Sequence, residues 1–340
     1  MPGLVESLAR GPLVCAEGYL FECERRGYLQ AGAFVPEVVV DYPQVVEELH
    51  REFVHAGSGV VEAFTYYGHR EKLRVLGKEA ILEPLNRQAL SIAARVARET
   101  GTLLAGNLSN TNVYEPGPQA ERVVRAAFDE QVGWAAEAGV DFVIAETFSW
   151  VGEALLALES IKDAGLPAVV TFAVHRDDHM RDGFSPEDAC REAEQRGADV
   201  VGLNCIRGPL TMLPLLPPIR AAVSCPVAAL PVPYRTTPAE PTMQSLRDVA
   251  RGGALAFPVA LDPFTCTRYE LGDFAAEAYA AGVSYLGICC GAGPHHVRAV
   301  AEAVGLTPPA SRYSPDMSKH SFLGTDPAIT KSYQDYARNL

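Results

Sequence analysis

Gly287-Ile288-Cys289-Cys290-Gly291 ends a short apolar run that begins at Val283, and Gly202-Leu203-Asn204-Cys205 ends another that begins at Ala198. Loop-forming residues follow each, Gly291-Ala292-Gly293-Pro294 in one case and Arg207-Gly208-Pro209 in the other. Short apolar runs bounded by turn residues read as buried strands of a parallel sheet. Cysteines at the carboxyl ends of such strands converge on one face, however distant they are in sequence. Three thiolates there make a zinc site whose fourth position is open, the arrangement of a catalytic rather than a structural metal. A three-thiolate site also suits a soft incoming ligand, above all another thiolate.

Working outward, one local phrase recurs. Ala56-Gly57, Thr100-Gly101, Ala138-Gly139, Ala164-Gly165, Arg196-Gly197 and Ala281-Gly282 each close a helical pattern and open an apolar run. Glycine just past a helix supplies the left-handed turn, and a buried strand follows. Strands are predicted at 13–16, 60–66, 103–107, 142–146, 168–173, 200–204, 227–230 and 285–289. Eight runs separated by helical patterns predict an α/β fold, a single (β/α)8 TIM-type barrel over residues 1–305. Pro43 suits the first turn of the helix between strands one and two, with Val45, Val46, Leu49 and Phe53 at helical spacing. Between strands seven and eight the stretch 231–267, rich in Pro, Thr and Gly, reads as a long loop over the barrel mouth. Residues 306–340 lose the rhythm and form a C-terminal extension with a short helical pattern at 327–340, expected to pack on the barrel or at an oligomer interface.

Composition narrows the classes. Hydrophobic residues make up 48% and charged residues 21%, enough for one sizeable core. A formal net charge of −13 argues against a nucleic-acid partner, because phosphate binding needs a basic face. There is neither a signal-peptide pattern nor an apolar run of membrane length, so a cytoplasmic address and no membrane partner are expected. Cysteines at 15, 23, 190, 205, 225, 266, 289 and 290 are then expected reduced. Cys15, Cys23, Cys190 and Cys225 read as small buried hydrophobes; Cys266 stays open. Adjacent Cys289-Cys290 between glycines is the unusual feature.

Catalytic residues of a barrel gather where its strands end. The expected strand ends offer Glu17 and Gly18, then Thr65, Tyr66 and Tyr67, then Asn107 to Asn110. They also offer Glu146, Thr147 and Phe148, then Asn204 and Cys205, and finally Cys289 and Cys290. All three cysteines fall on this one face. Zinc held only by thiolates is a weak activator of water but deprotonates a coordinating thiol outright, so the matching chemistry is alkyl transfer to sulfur. An onium methyl donor needs aromatic faces, and Phe34, Tyr66, Tyr67, Phe148 and Trp150 are the nearby rings. His295-His296 reads as helix capping behind Pro294, His175 and His179 as a solvated loop, and Gly291-Ala292-Gly293 lacks the Lys-Ser/Thr of a phosphate loop.

Ala31-Gly32, Pro36-Glu37, His50-Arg51-Glu52-Phe53, Phe64-Thr65-Tyr66-Tyr67, Ala145-Glu146, Val201-Gly202-Leu203-Asn204-Cys205 and Cys289-Cys290-Gly291 together resemble the homocysteine S-methyltransferase family. The likeness runs from about residue 16 to 309. It implies a zinc barrel with Cys205, Cys289 and Cys290 as ligands, Glu146 at the amino-acid thiol, and Tyr67 at the methyl donor. Glu17, Gly18, Phe34, Tyr66, Thr147, Phe148 and Asn204 complete the implied substrate contacts. The implied reaction moves a methyl group from an onium, foremost a betaine, to homocysteine, giving methionine, in an enzyme that assembles as a homo-oligomer. Departures from the family pattern are Ala16-Glu17-Gly18 in place of Asp-Gly-Gly, Phe34 in place of tryptophan, and Thr147 in place of tyrosine. S-methylmethionine or another sulfonium is the rival donor, and a non-catalytic zinc-binding or thiol-sensing protein is the rival class.

Overall fold

Proline at the first turn and glycine past the last place the helices where the sequence expects them. Pro43–Ala56 starts on Pro43 and buries Val45, Val46, Leu49 and Phe53; Leu82–Thr100 and Pro118–Ala138 end at left-handed Gly101 and Gly139. The computed structural model describes residues 3–329 and Asp335. Its barrel strands are β1 (Leu13–Ala16), β2 (Val60–Glu62), β3 (Leu103–Ser109), β4 (Phe142–Phe148), β5 (Ala168–Phe172), β6 (Val200–Asn204), β7 (Val227–Leu230) and β8 (Val283–Ile288). Each pairs in parallel with its neighbours in this order, and β8 closes on β1 through Leu13↔Tyr285 to Ala16↔Ile288.

Alternation sorts the strand residues into two layers. Leu13, Val60, Leu103, Phe142, Val169 and Tyr285 pack together inside the barrel, with Leu4 and Leu8 of the first helix, Leu4–Leu8, in the same cluster. The intervening residues pack outward against the helices in the larger cluster that includes Leu49, Phe53 and Phe128. Full burial of each such side chain stabilises by about 1.5–3 kcal/mol. Close strand approach also explains the glycine of Gly202-Leu203-Asn204-Cys205. A Cβ at Gly202 would lie 2.0 Å from the carbonyl oxygen of Ala228 on β7. No side chain fits there.

Some boundaries move. The expected strand 60–66 stops at Glu62, because Thr65 N–H turns back to the Ala63 carbonyl at 2.7 Å and Gly68 N–H to that of Thr65 at 2.7 Å. β3 and β4 each run two residues past their expected ends. The long connection before β8 contains a small antiparallel pair, Arg247–Asp248 with Ala254–Leu255, and its Met243, Gln244 and Phe257 reach the barrel mouth. After the last barrel helix, Pro294–Ala303, the extension forms short 3-10 turns at Pro309–Tyr313 and Met317–Lys319. The helical pattern at 327–340 lies outside the described residues, apart from the turn and bend at 327–329 and Asp335. Among the described residues no helix is long and apolar enough to cross a membrane.

Candidate active site

Cys205 follows the last residue of β6, and Cys289-Cys290 follows the last residue of β8. Their sulfurs lie within 4.8 Å of one another and all three residues are buried; Cys289 Sγ and Cys290 Sγ are 3.9 Å apart. Backbone hydrogen bonds from Cys205 N–H to the Leu230 carbonyl and from Cys289 N–H to the Pro231 carbonyl, both 2.9 Å, set these positions from β7. Arg25 fixes the loop beyond, donating to the Gly291 carbonyl and to Tyr234 Oη at 2.9 Å each. Hydrogen bonds from Cys289 and Cys290 hold Cys205 well below the usual thiol value. Cys289 is pushed up, first by burial and then by Cys205, and Cys290 chiefly by its contact with Cys205. Three buried sulfurs at this spacing fit a soft, tetrahedral metal with one position left open.

Behind the sulfurs sits an acidic network. Asn107 Nδ2 donates to Glu62 Oε1 and Glu146 Oε1, at 2.6 Å each. Asn204 Nδ2 lies 2.7 Å from Glu146 Oε2, 2.9 Å from Thr147 Oγ1 and 3.2 Å from Glu17 Oε2, while its Oδ1 accepts from Thr147 N–H at 2.9 Å. Burial raises the Glu146 carboxyl to about 7. Burial and the neighbouring carboxylates hold Glu17 and Glu62 well above the usual range. Like charges packed in a dry site cannot all ionise. Glu17 Oε1 and Asn107 Oδ1 have no hydrogen-bond partner. These groups line a small cavity of about 10 Å³, room for roughly one water molecule.

In front of the sulfurs a cavity of about 460 Å³ opens to the barrel mouth. Phe34, Tyr66, Tyr67, Trp150 and Phe257 line it together with Thr147, Cys205 and Cys290. Six non-glycine residues of the described chain have positive φ: Phe34, Tyr67, Asn112, Thr147, Cys205 and Ile206. All six line this cavity. Such conformations cost on the order of 1–3 kcal/mol each and persist where surrounding structure over-determines them. Tyr67 is held by its own N–H to Ser109 Oγ at 3.1 Å, and Lys72 Nζ stands 4.3 Å over one face of its ring.

Two expected contacts fall elsewhere. Phe148 is fully buried and packs edge-on to Phe128 in the helix layer, outside both cavities. The positive φ of Thr147 and a register shift between Ala145 and Phe148 break the alternation that would have turned Phe148 inward. Gly18 caps the helix Tyr19–Arg25 and lines neither cavity; a Cβ there would lie 2.3 Å from the Ala292 carbonyl oxygen. His175 is also not simply a solvated loop residue. Its Nε2 is 2.7 Å from Ser149 Oγ, and it lines the large cavity. His296 caps as expected, with Nδ1 accepting from Gly293 N–H and Nε2 beside the Cys266 carbonyl, both at 3.2 Å.

A thiol cluster between carboxyls and aromatic rings at the mouth of a (β/α)8 barrel narrows the comparison with known proteins. The family model described as homocysteine S-methyltransferase matches residues 20–304. The chain belongs to this family. Betaine–homocysteine S-methyltransferase 1 of Danio rerio is 36% identical over 333 residues, 95% of this chain and 80% of that protein. S-methylmethionine–homocysteine S-methyltransferase of Rattus norvegicus is 32% identical over 335 residues, 95% of this chain and 86% of that protein. The solved homocysteine methyltransferase MmuM of Escherichia coli, in its metallated form, shares the fold. Its TM-score is 0.68 at 18% identity, over 87% of this chain and 98% of that one.

As a homocysteine S-methyltransferase, the chain is an enzyme that methylates homocysteine. Sequence reasoning missed several residues around this family's expected site. Glu62 sits on β2 and faces the small cavity beside Asn107, the strand-end residue the sequence did offer; a charged residue inside the apolar run Val60-Val61-Glu62-Ala63 was the available signal for it. For Arg181, Ser149 and Glu153, which line the large cavity, no local pattern marks them out.

Proposed function

We propose that this enzyme moves a methyl group from an onium donor, foremost a betaine, to the homocysteine thiol, with zinc held by Cys205, Cys289 and Cys290. The observation that carries this reading is three buried sulfurs within 4.8 Å of one another beside an aromatic-lined cavity. Zinc, when bound, would keep the acceptor thiol deprotonated at neutral pH. The chain's own residues do the rest. Glu146, oriented by Asn107 and Asn204, and Glu17 receive the acceptor's ammonium. Leu20, Tyr66 and Cys290 line both cavities, so an acceptor reaching Glu146 passes between them. Phe34, Tyr66, Tyr67 and Trp150 enclose the cationic donor and exclude water from it. In the transfer the acceptor sulfur forms a bond to the methyl carbon as the bond from carbon to the onium nitrogen breaks, and the donor leaves as a neutral amine. In-line positioning supplies much of the rate.

The two relatives' names set the choice of donor. Zinc-loaded protein and homocysteine incubated with glycine betaine are expected to give methionine and the demethylated amine in equal amounts. Faster turnover of S-methylmethionine would move the assignment to a sulfonium donor. No transfer from any onium would leave a zinc-binding or thiol-sensing protein, for which the aromatic cavity has no use.

Tyr67 is the sharpest probe of that cavity. Lys72 stands over one face of its ring and the Tyr66 ring packs beside it, with centroids 4.4 Å apart, so the two tyrosines present a joint aromatic wall to the cavity. A desolvated cation–π contact is worth about 2 kcal/mol, so Tyr67→Ala is expected to raise the donor KM about thirtyfold. Tyr67→Phe, which keeps the ring face, is expected to stay near the parent value. An unchanged donor KM in Tyr67→Ala would reduce Tyr67 to packing. Self-association is part of the same proposal, supported by exposed Tyr313, Met317 and Leu323 in the extension. Light scattering should find an oligomer at micromolar concentration; a compact monomer counts against it.

A further inference from the structure

The large cavity carries a group that neither methyl transfer nor metal binding uses. Arg181 lines it, yet makes no ion pair or side-chain hydrogen bond among the described residues. Its backbone is fixed: Arg181 N–H donates to the Ser149 carbonyl at 2.9 Å, and the next residue, Asp182, accepts from Gly152 N–H at 3.0 Å. Two acids of this loop are engaged elsewhere, Asp182 through Oδ2 by Gly152 and Asp178 by Arg207 at 2.5 Å. Glu153, the acid of the cavity wall, turns Oε1 to Thr111, accepting from its N–H at 2.7 Å and its hydroxyl at 2.5 Å. Beside Arg181 stands His175, with Nε2 against Ser149 Oγ at 2.7 Å. In the tautomer where the Ser149 hydroxyl donates, the His175 Nδ1 hydrogen remains for an anion.

A cavity meant only for a cation gains little from a guanidinium in its wall that no carboxylate pairs directly, since it repels the cation. Glu153, whose carboxyl burial raises and the Thr111 bonds and Arg181 charge pull down, is the acid nearest in effect, and it is already bonded to Thr111. An arginine fork is, however, the group that matches a carboxylate in two hydrogen bonds. We propose that Arg181, with His175 beside it, receives the carboxylate of the methyl donor and restricts the enzyme to zwitterionic onium compounds, cation at one end and carboxylate at the other. This rests on the donor reading above and deepens it. Holding the carboxylate on the wall formed by Arg181 and His175 leaves the onium methyls to the aromatic rings and to the sulfurs of Cys205 and Cys290 in the same cavity. S-methylmethionine fits less well, since its ammonium sits on the carbon that bears its carboxylate and would approach Arg181 with it.

The test separates the two ends of the donor. In zinc-loaded Arg181→Met, the KM for glycine betaine is expected to rise about ten- to a hundredfold, the scale of a lost charge-assisted contact. The kcat should stay within a few-fold, and Arg181→Lys should recover part of the loss. Inhibition by tetramethylammonium, an onium without a carboxylate, should be unchanged or tighter. Zinc content and thermal midpoint should match the parent. An unchanged KM for glycine betaine, or an equal weakening of both ligands, overturns the proposal. If the parent protein transfers no methyl from glycine betaine, the donor reading fails separately. Calorimetric binding of glycine betaine to parent and Arg181→Met protein then still decides this one, and equal affinity overturns it.

Discussion

Cys289→Ala is expected to abolish methyl transfer and to bring zinc content from one per chain to a small fraction of that. Cys289 joins the two halves of the site: its sulfur is 3.9 Å from Cys290 Sγ and 3.8 Å from Asn204 Nδ2. Losing an outer partner of a metal ligand already costs about 10–100-fold, so losing a ligand is expected to cost at least about 1,000-fold in kcat/KM. Alanine at a buried position with intact neighbours should leave the barrel folded, which circular dichroism checks. Cys266→Ala is the control. Burial pushes its thiol up to about 12, and Cys266 lines neither cavity and stands outside the three-sulfur cluster, so zinc and activity should persist. Full zinc occupancy in Cys289→Ala would refute the ligand assignment.

The second large effect is expected at Glu146. Its Oε1 accepts from Asn107 at 2.6 Å and its Oε2 from Asn204 at 2.7 Å and Thr147 Oγ1 at 2.9 Å, so the carboxyl is held in one orientation before any substrate arrives. Removing one partner of a buried charge pair costs roughly 3–5 kcal/mol, because the other charge is left uncompensated. Each 1.4 kcal/mol is about tenfold, so Glu146→Ala should lower kcat/KM for homocysteine by about 140- to 3,700-fold. The loss should appear on the acceptor side, with the donor KM nearly unchanged and zinc retained. A variant that lost donor affinity instead would place Glu146 in the wrong half of the site.

The two halves were written into the chain by the same rule. The three clustered cysteines were legible because they come at strand ends, and a strand end has a defined place on a barrel. Glu146 and Asn204 were legible for the same reason, as polar residues closing apolar runs on β4 and β6. Phe148 was misplaced by the same rule. Alternation fails where Thr147 takes a positive φ, and nothing local to Glu146-Thr147-Phe148 announces that conformation.

By itself, then, the sequence determined the eight-stranded barrel, the face on which its chemistry gathers, and three cysteines drawn from two distant strand ends. Those are consequences of periodicity, turn chemistry and strand direction, which act within a few residues or follow from the closure of the sheet. Only the tertiary structure decided that Glu17, Glu62 and Glu146 share one buried pocket, that six strained residues line one cavity, and that Arg181 stands in its wall without a direct ion pair. Burial, carboxyl repulsion and the availability of a counter-charge depend on which loops meet in space, and neighbours distant in sequence supply all three.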